Sequence, residues 1–109
     1  MRRAPDASIG CLSPDRDTLA LAGVLTFATV ARALAAGERM LAAGAQTRLD
    51  LSGVTRADSA GLACIVALVA SASRAGRALT VVNWPERLRA LAAVCDVAEL
   101  LSPAAAATT

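Results

Sequence analysis

The sequence has no histidine, and all eleven of its positively charged residues are arginine. The absence of histidine excludes a histidine-based catalytic triad, a histidine general base and a mixed Cys/His zinc site. The absence of lysine excludes a Schiff-base nucleophile and the phosphate-binding lysine of a P-loop. Tyrosine is also absent, and Phe27 and Trp84 are the sole aromatic residues, so the sequence provides no platform for stacking bases. These absences argue against an enzyme of any kind.

The two signs of charge are nearly balanced along the chain. Eleven arginines against nine acidic residues give a net charge of +2, and the signs are interspersed. The basic stripe that binds nucleic acid is missing, so no nucleic-acid partner is expected. The longest uncharged run, Ser59–Ser73, has 15 residues, fewer than the roughly 20 that span a bilayer. Because no apolar segment follows Arg2 and Arg3 to form a signal peptide, the sequence predicts a cytoplasmic domain.

Three widely spaced cysteines, Cys11, Cys64 and Cys95, form no CxxC motif. Cys64 and Cys95 lie among apolar residues, so all three are predicted to be small core side chains in a reducing compartment. At 109 residues the chain has room for one domain, which would bury roughly 65% of its unfolded surface. We expect this domain to span residues 7–102, between disordered tails at 1–6 and 103–109.

The hydrophobic pattern predicts alternating strands and helices, an order typical of an α/β layer. Thr26 is the predicted N-cap of the first helix. The predicted strands are Ala7–Leu12, Thr18–Val24, Thr47–Leu51 and Ala78–Val82, and the predicted helices are Phe27–Ala43, Asp58–Arg74, one that begins at Pro85, and Val97–Leu101. The apolar positions predicted to face the core are Phe27, Val30, Leu34, Met40 and Leu41, then Leu62, Ile65, Val66 and Val69, then Leu88, Leu91, Ala92 and Cys95.

The segment Leu49–Gly61, with the sequence LDLSGVTRADSAG, carries the strongest functional signal. A strand leads through a loop into Asp58–Gly61 at the start of a helix. In a parallel sheet this is the carboxyl edge, where ligands and partners usually approach. The helix N-terminus would stabilise a negatively charged group, such as a phosphoryl group, bonded to the Ser59 hydroxyl oxygen. The plainer alternative is that Asp58 or Ser59 is an ordinary N-cap.

Catalysis and metal binding in this segment are both disfavoured. Ser59 has no histidine or lysine to activate it as a nucleophile, and its surroundings lack the GxSxG elbow. Asp50 and Asp58 would suggest a paired-carboxylate or Mg²⁺ site, but Asp50 lies between two leucines within a predicted strand. We therefore expect no catalytic residue, no metal and no cofactor.

Two stretches together resemble the STAS domain family, and within it the short stand-alone MlaB type. The first is LDLSGVTRADSAGL, Leu49–Leu62, and the second is RAGRALTVVNWPERLRALAAVCDVAELL, Arg74–Leu101. The resemblance covers Thr18–Pro103. It implies a single α/β domain of the STAS type, with a four- or five-stranded mixed sheet, helices mainly on one face and no catalytic activity.

The resemblance also implies a protein partner. In the MlaB branch, the hydroxyl residue that matches Ser59 lies where the domain docks on the ATPase subunit of a phospholipid ABC transporter, which maintains the lipid asymmetry of the outer membrane. Such a subunit is cytoplasmic and meets the inner membrane only indirectly, through the transporter. In the anti-sigma-factor antagonist branch, the residue matching Ser59 is instead phosphorylated by a partner serine kinase.

The predicted partner-binding residues follow from this resemblance. Trp84 stands where smaller apolar residues are usual, and it is either a half-buried ring over the last helix or a contact anchor, since tryptophan is enriched among interface hot spots. The full set is Arg56, Asp58, Ser59, Ala60, Gly61 and Trp84, with Ser59 as the docking or phosphorylated hydroxyl.

Overall fold

Four strands and three helices alternate along residues 9–95, which are the residues that the computed structural model describes. The strands are β1 (Ile9–Asp15), β2 (Thr18–Leu25), β3 (Arg48–Ala57) and β4 (Thr80–Val82), and the helices are α1 (Val30–Ala43), α2 (Ser59–Arg74) and α3 (Glu86–Val94). The strand order is β1-β2-β3-β4. β1 and β2 form an antiparallel hairpin, while β2, β3 and β4 run parallel. The predicted single α/β domain with a mixed sheet is confirmed, with four strands.

One face of the sheet is buried and the other is open. Along β3, Leu49 and Leu51 are fully buried, whereas Arg48 and Ser52 are exposed, as the alternation of side chains along a strand requires. The buried face continues across the parallel strands, because Leu19, Leu49 and Val81 lie opposite one another in register and all three are buried. The helices cover this face.

α1 and α2 pack closely against each other above the sheet. The fully buried side chains of α2 recur at helical spacing, with Ile65, Leu68 and Ala72 on one stripe. On α1, Gly37 is buried opposite Leu68, and a Cβ on this glycine would lie 2.8 Å from a Leu68 methyl group. The small residue thus permits the close approach of the two helices.

β3 extends six residues beyond its predicted end at Leu51. Ser52 and Gly53 have the composition of a turn, but β2 continues to pair with β3 as far as Ala57, through two shifts of register. The loop expected between this strand and α2 is therefore absent. β4, by contrast, is shorter than predicted and pairs only with Arg48–Asp50.

α1 begins at Val30, three residues after its predicted start at Phe27. A turn takes up the intervening residues, held by Thr29, whose hydroxyl donates to the Val24 carbonyl at 2.7 Å and accepts from the Thr26 N–H at 3.0 Å. The prediction that Phe27 faces the core is wrong: its side chain is 83% exposed.

One further burial prediction, that for Cys95, is wrong. Cys95 directly follows α3 and is exposed, so it does not continue the inward stripe of Leu88 and Ala92. Cys64 is buried as expected, and Cys11 is partly buried. The predicted helix Val97–Leu101 and both predicted tails lie outside the described residues. Within residues 9–95, no helix is long and apolar enough to cross a membrane.

Candidate functional site

β3 leads directly into α2, and Asp58 is the residue at the junction. Its backbone is extended, with φ −129° and ψ −169°, and its side-chain Oδ1 accepts a hydrogen bond from the Gly61 N–H at 3.1 Å. This is the geometry of an N-cap. Of the two candidate caps, the structure assigns the role to Asp58 and leaves the Ser59 hydroxyl for other contacts.

The second carboxylate oxygen of Asp58 binds the connection between β2 and α1, so this connection is held against the start of α2. Oδ2 accepts a hydrogen bond from the Phe27 N–H at 3.1 Å, and the Asp58 N–H donates to the Leu25 carbonyl at 3.4 Å. One side chain therefore fixes the start of α2 and the turn before α1 relative to each other. The exposed Phe27 ring is held on the segment next to Ser59.

The electrostatics of the junction favour an ionised Asp58. Burial raises the pKa of this carboxyl, but hydrogen bonds from the backbone N–H groups of Phe27, Gly61 and Ala60 outweigh it and hold the pKa below the ordinary 3.8. The negative charge also lies at the N-terminus of α2, where the helix dipole is favourable to it. The carboxylate is thus committed to structural hydrogen bonds at neutral pH.

Ser59 is the first residue of α2 and is exposed. Its hydroxyl makes no hydrogen bond to any residue between 9 and 95. The neighbouring Asp58 carboxylate accepts backbone N–H groups on both of its oxygens and makes no hydrogen bond with the Ser59 hydroxyl. The Ser59 hydroxyl is therefore exposed and makes no hydrogen bond with the described residues.

Gly61 has a packing role at the site. It is buried in the first turn of α2, and a Cβ at this position would collide with the backbone carbonyl of Leu25. A glycine is needed for the helix to approach the end of β2 this closely. Gly61 was predicted to bind the partner, and the structure places it beneath the surface. Ala60, beside it, is partly exposed.

Arg56 is exposed near the end of β3 and lines a groove that opens towards α3. The groove has a volume of about 300 Å³. We call it the β3–α3 groove, and its lining residues are Val54, Thr55, Arg56, Ala57, Pro85, Arg87 and Leu88. Arg56 thus lies on the boundary between this groove and the Asp58–Ser59 junction.

Trp84 and Ser59 lie at different positions along the direction of the strands. Trp84 follows β4, which pairs with the beginning of β3, whereas Ser59 follows the end of β3. The Trp84 ring is partly buried against the hydrophobic core, which agrees with the half-buried alternative. A role for Trp84 as a contact anchor stays a prediction.

Sequence reasoning missed Phe27 as a surface residue. The sequence contains two threonines three residues apart, Thr26 and Thr29, and either one is a possible N-cap of α1. A cap at Thr29 would have placed Phe27 outside the helix. The prediction chose Thr26 as the cap and so placed Phe27 inside α1. In the structure it is Thr29 that holds the turn, and the aromatic ring is left outside.

Asp50 has a local structural role at the opposite end of β3 from Asp58. Its Oδ1 accepts from the Ser52 N–H at 2.9 Å and from the Asn83 side-chain amide at 3.1 Å. These contacts support Asn83 in its left-handed conformation, with φ +58°. The Ser52 N–H is the main reason that the pKa of Asp50 is lowered. Within residues 9–95, no three histidine, cysteine or acidic side chains are placed to hold a metal ion.

Comparison with known proteins identifies the family. The family model described as MlaB, STAS domain, matches residues 12–102. The fold is similar to that of the anti-sigma factor antagonist SpoIIAA in its unphosphorylated form, with a TM-score of 0.66 and 15% sequence identity over 84% of this chain and 83% of that chain. No curated protein sequence matches. Because the family model spans most of the chain, including the Asp58–Ser59 junction, the chain belongs to the STAS domain family of the MlaB type.

Proposed function

We propose that this STAS domain is a non-catalytic subunit that docks on the ATPase of a phospholipid ABC transporter. STAS domains bind partner proteins and are generally not enzymes. The match to the MlaB type supports a transporter ATPase as the partner. Such a partner would hold the domain at the cytoplasmic face of the inner membrane without any membrane contact of its own.

The observation that carries the proposal is the exposed aromatic side chain of Phe27, whose N–H donates to Asp58, the residue before the exposed Ser59. We define the docking surface as Phe27, Arg56, Asp58, Ser59 and Ala60. Phe27 is 83% exposed in the free domain, and burying a phenylalanine side chain contributes about 1.5–3 kcal/mol. Large aromatic side chains are enriched in interface cores.

The docking surface is also held rigid before a partner arrives. The Asp58 carboxylate binds the Phe27 N–H and the Gly61 N–H at 3.1 Å each, which fixes the backbone on both sides of the surface. A preorganised surface loses less conformational entropy on binding than a mobile loop does. Phe27 is therefore suited to act as the anchor, with Ser59 as a neighbouring polar contact.

A second candidate function is that of an anti-sigma-factor antagonist switched by phosphorylation of Ser59. Ser59 is exposed, and its hydroxyl has no hydrogen-bond partner among residues 9–95; this and the similarity of the fold to SpoIIAA favour it. A phosphoryl group adds about 1.5–2 negative charges at neutral pH. At Ser59 it would lie beside the ionised Asp58 and would change the charge of the docking surface from balanced to strongly negative.

Co-expression decides between the two candidates. We expect the full chain to co-elute in size-exclusion chromatography with an ATPase subunit of a phospholipid ABC transporter from the same genome, with Ser59 unmodified by mass spectrometry. Failure to co-elute with any such ATPase would contradict the proposal. Stable binding to a serine kinase, with phosphate on Ser59, would establish the second candidate in its place.

A further inference from the structure

The edge of β3 beyond Asp50 has no strand beside it in the described part of the chain. β4 pairs with Arg48–Asp50 only, although β3 continues to Ala57. Alternate main-chain groups of a strand point to opposite sides. The Ser52 N–H is taken up by the Asp50 carboxylate, but along Val54–Ala57 the N–H and C=O groups that point away from β2 have no partner among residues 9–95. No hydrogen bond joins them to α3.

The β3–α3 groove runs along this open edge. Val54, Ala57 and Leu88 give the groove buried apolar walls. Arg56 and Arg87 are exposed at its rim, and neither guanidinium makes a hydrogen bond or ion pair with a residue between 9 and 95. Within the described part of the chain, the groove thus combines open main-chain groups, apolar walls and two positive charges without an ion-pair partner.

We propose that the β3–α3 groove binds an extended segment of a partner protein, which adds as a strand along Val54–Ala57 and carries acidic side chains towards Arg56 and Arg87. Strand addition takes its affinity from main-chain hydrogen bonds and its specificity from alternate side chains. In such a segment one set of side chains is apolar and lies against the walls, while the other set is acidic. The inference does not depend on which protein occupies the docking surface.

A peptide segment suits the groove better than a lipid headgroup or a free anion does. Either of those would engage the guanidinium groups alone and would leave the main-chain groups of Val54–Ala57 without partners. An extended peptide satisfies both, because carboxylates pair with arginine in charge-assisted hydrogen bonds while the peptide backbone continues the sheet. The two arginines select for acidic side chains.

The probe is an eight-residue peptide of alternating valine and glutamate, titrated into the full chain while backbone amide resonances are followed by NMR. We expect the shifts to centre on Val54–Ala57 and on the start of α3. Arg87→Glu is expected to weaken binding by about tenfold or more, the equivalent of one lost charge-assisted hydrogen bond. Arg89→Glu is the matched control, on the same helix but outside the groove, and we expect it to change the affinity by much less.

Two altered peptides test the two halves of the inference. A peptide with lysine in place of glutamate lacks the charge match, and one with a central proline cannot complete the main-chain pairing. Equal binding of either would contradict the inference. So would an absence of shifts at Val54–Ala57 with the original peptide, or equal effects of the two arginine variants.

Other occupants of the groove give distinct results that would also overturn the inference. If Asp96 and Glu99 of this chain held the arginines, the double variant Asp96→Asn, Glu99→Gln would raise the affinity for the peptide. If the groove were a lipid site, Arg87→Glu would abolish binding to vesicles of phosphatidylglycerol and leave peptide binding unchanged. An ATPase that bound the chain but was indifferent to Arg87→Glu, together with no peptide binding, would remove this inference and leave the proposed function standing.

Discussion

Asp58 uses both oxygens of its carboxylate for backbone N–H groups, those of Gly61 and Phe27. Its neighbour Ser59 makes no such bond within residues 9–95 and is exposed. The two adjacent residues therefore differ in the hydrogen bonds that their side chains make at the junction. Asp58 maintains its structure, and we propose that Ser59 contacts the partner.

This difference predicts unequal stability effects at the two adjacent positions. Asp58→Ala removes the cap and is expected to lower the free energy of unfolding by about 0.5–2 kcal/mol. Ser59→Ala removes no described hydrogen bond and is expected to change it by less than about 0.5 kcal/mol. Urea denaturation of both variants measures the difference. An equal loss in the two would mean that Ser59 shares the capping role.

The lowered pKa of Asp58 predicts acid sensitivity. A carboxyl whose pKa is lower in the folded than in the unfolded state stabilises the fold above its unfolded pKa, and the stabilisation is lost as the pH falls through the folded value. The ordinary value is 3.8 and the folded value lies below it. Stability should therefore decline on acidification below about pH 4. Asp58→Asn keeps an acceptor for the cap and should flatten the decline in chemical unfolding at a series of pH values; an unchanged slope would contradict this.

The three thiols should differ in reactivity. Burial raises the pKa of Cys64 to about 11 and also raises that of Cys11, against an opposing effect of Arg39. Cys95 is exposed. Because the thiolate is the reactive form, Cys95 is expected to react first with a thiol-specific chromophoric reagent at pH 8, and Cys64 only on unfolding. Rapid modification of Cys64 in the native protein would contradict its burial.

Two glycines set the positions of the helices, and they differ in what surrounds them. Glycine to alanine in a helix ordinarily stabilises by roughly 1 kcal/mol. At Gly61 the added methyl group would meet the rigid backbone carbonyl of Leu25, whereas at Gly37 it would meet the end of the flexible Leu68 side chain. We expect Gly61→Ala to destabilise by about 1–3 kcal/mol and Gly37→Ala by less. Thermal unfolding of the pair measures this order, and a stabilised Gly61→Ala variant would contradict the close approach of α2 to β2.

At the scale of elements, the local sequence signals predict the bounds of a helix or strand correctly where several of them indicate the same bounds. α2 was predicted almost to the residue, because the cap at Asp58, the apolar spacing and Gly76 after its end all indicate the same helix. β3 was predicted too short, because Ser52 and Gly53 resemble a turn. Its true extent depends on pairing with β2, which is distant in sequence and outweighs local propensity.

At the scale of the whole molecule, the helices cover one face of the sheet, and the residues of the proposed docking surface lie where two parallel strands, β2 and β3, end. The sequence motif was enough to locate Asp58, Ser59 and Gly61 there, since a strand followed by a capped helix predicts that edge. Phe27 was not predictable in the same way. It comes from a different connection, and the pairing of Leu25 with Ala57 and the hydrogen bond of the Phe27 N–H to Asp58 bring it to the site.

The most direct test of the account is the affinity of four variants for the transporter ATPase. Phe27 and Val94 are both 83% exposed, so Val94→Ala is the matched control for Phe27→Ala. Phe27→Ala is expected to weaken binding by about tenfold or more, as hot-spot truncations do, with little change in melting temperature. Ser59→Ala should weaken binding moderately and Ser59→Asp more, since the added charge would be desolvated beside Asp58.

Isothermal titration calorimetry with the purified ATPase gives the dissociation constants of the four variants and of the unaltered chain. The account predicts that affinity falls in the order Ser59, Ser59→Ala, Ser59→Asp, and that Phe27→Ala is impaired while Val94→Ala binds like the unaltered chain. If Phe27→Ala and Ser59→Asp bind the ATPase as tightly as the unaltered chain does, the docking surface defined here is wrong.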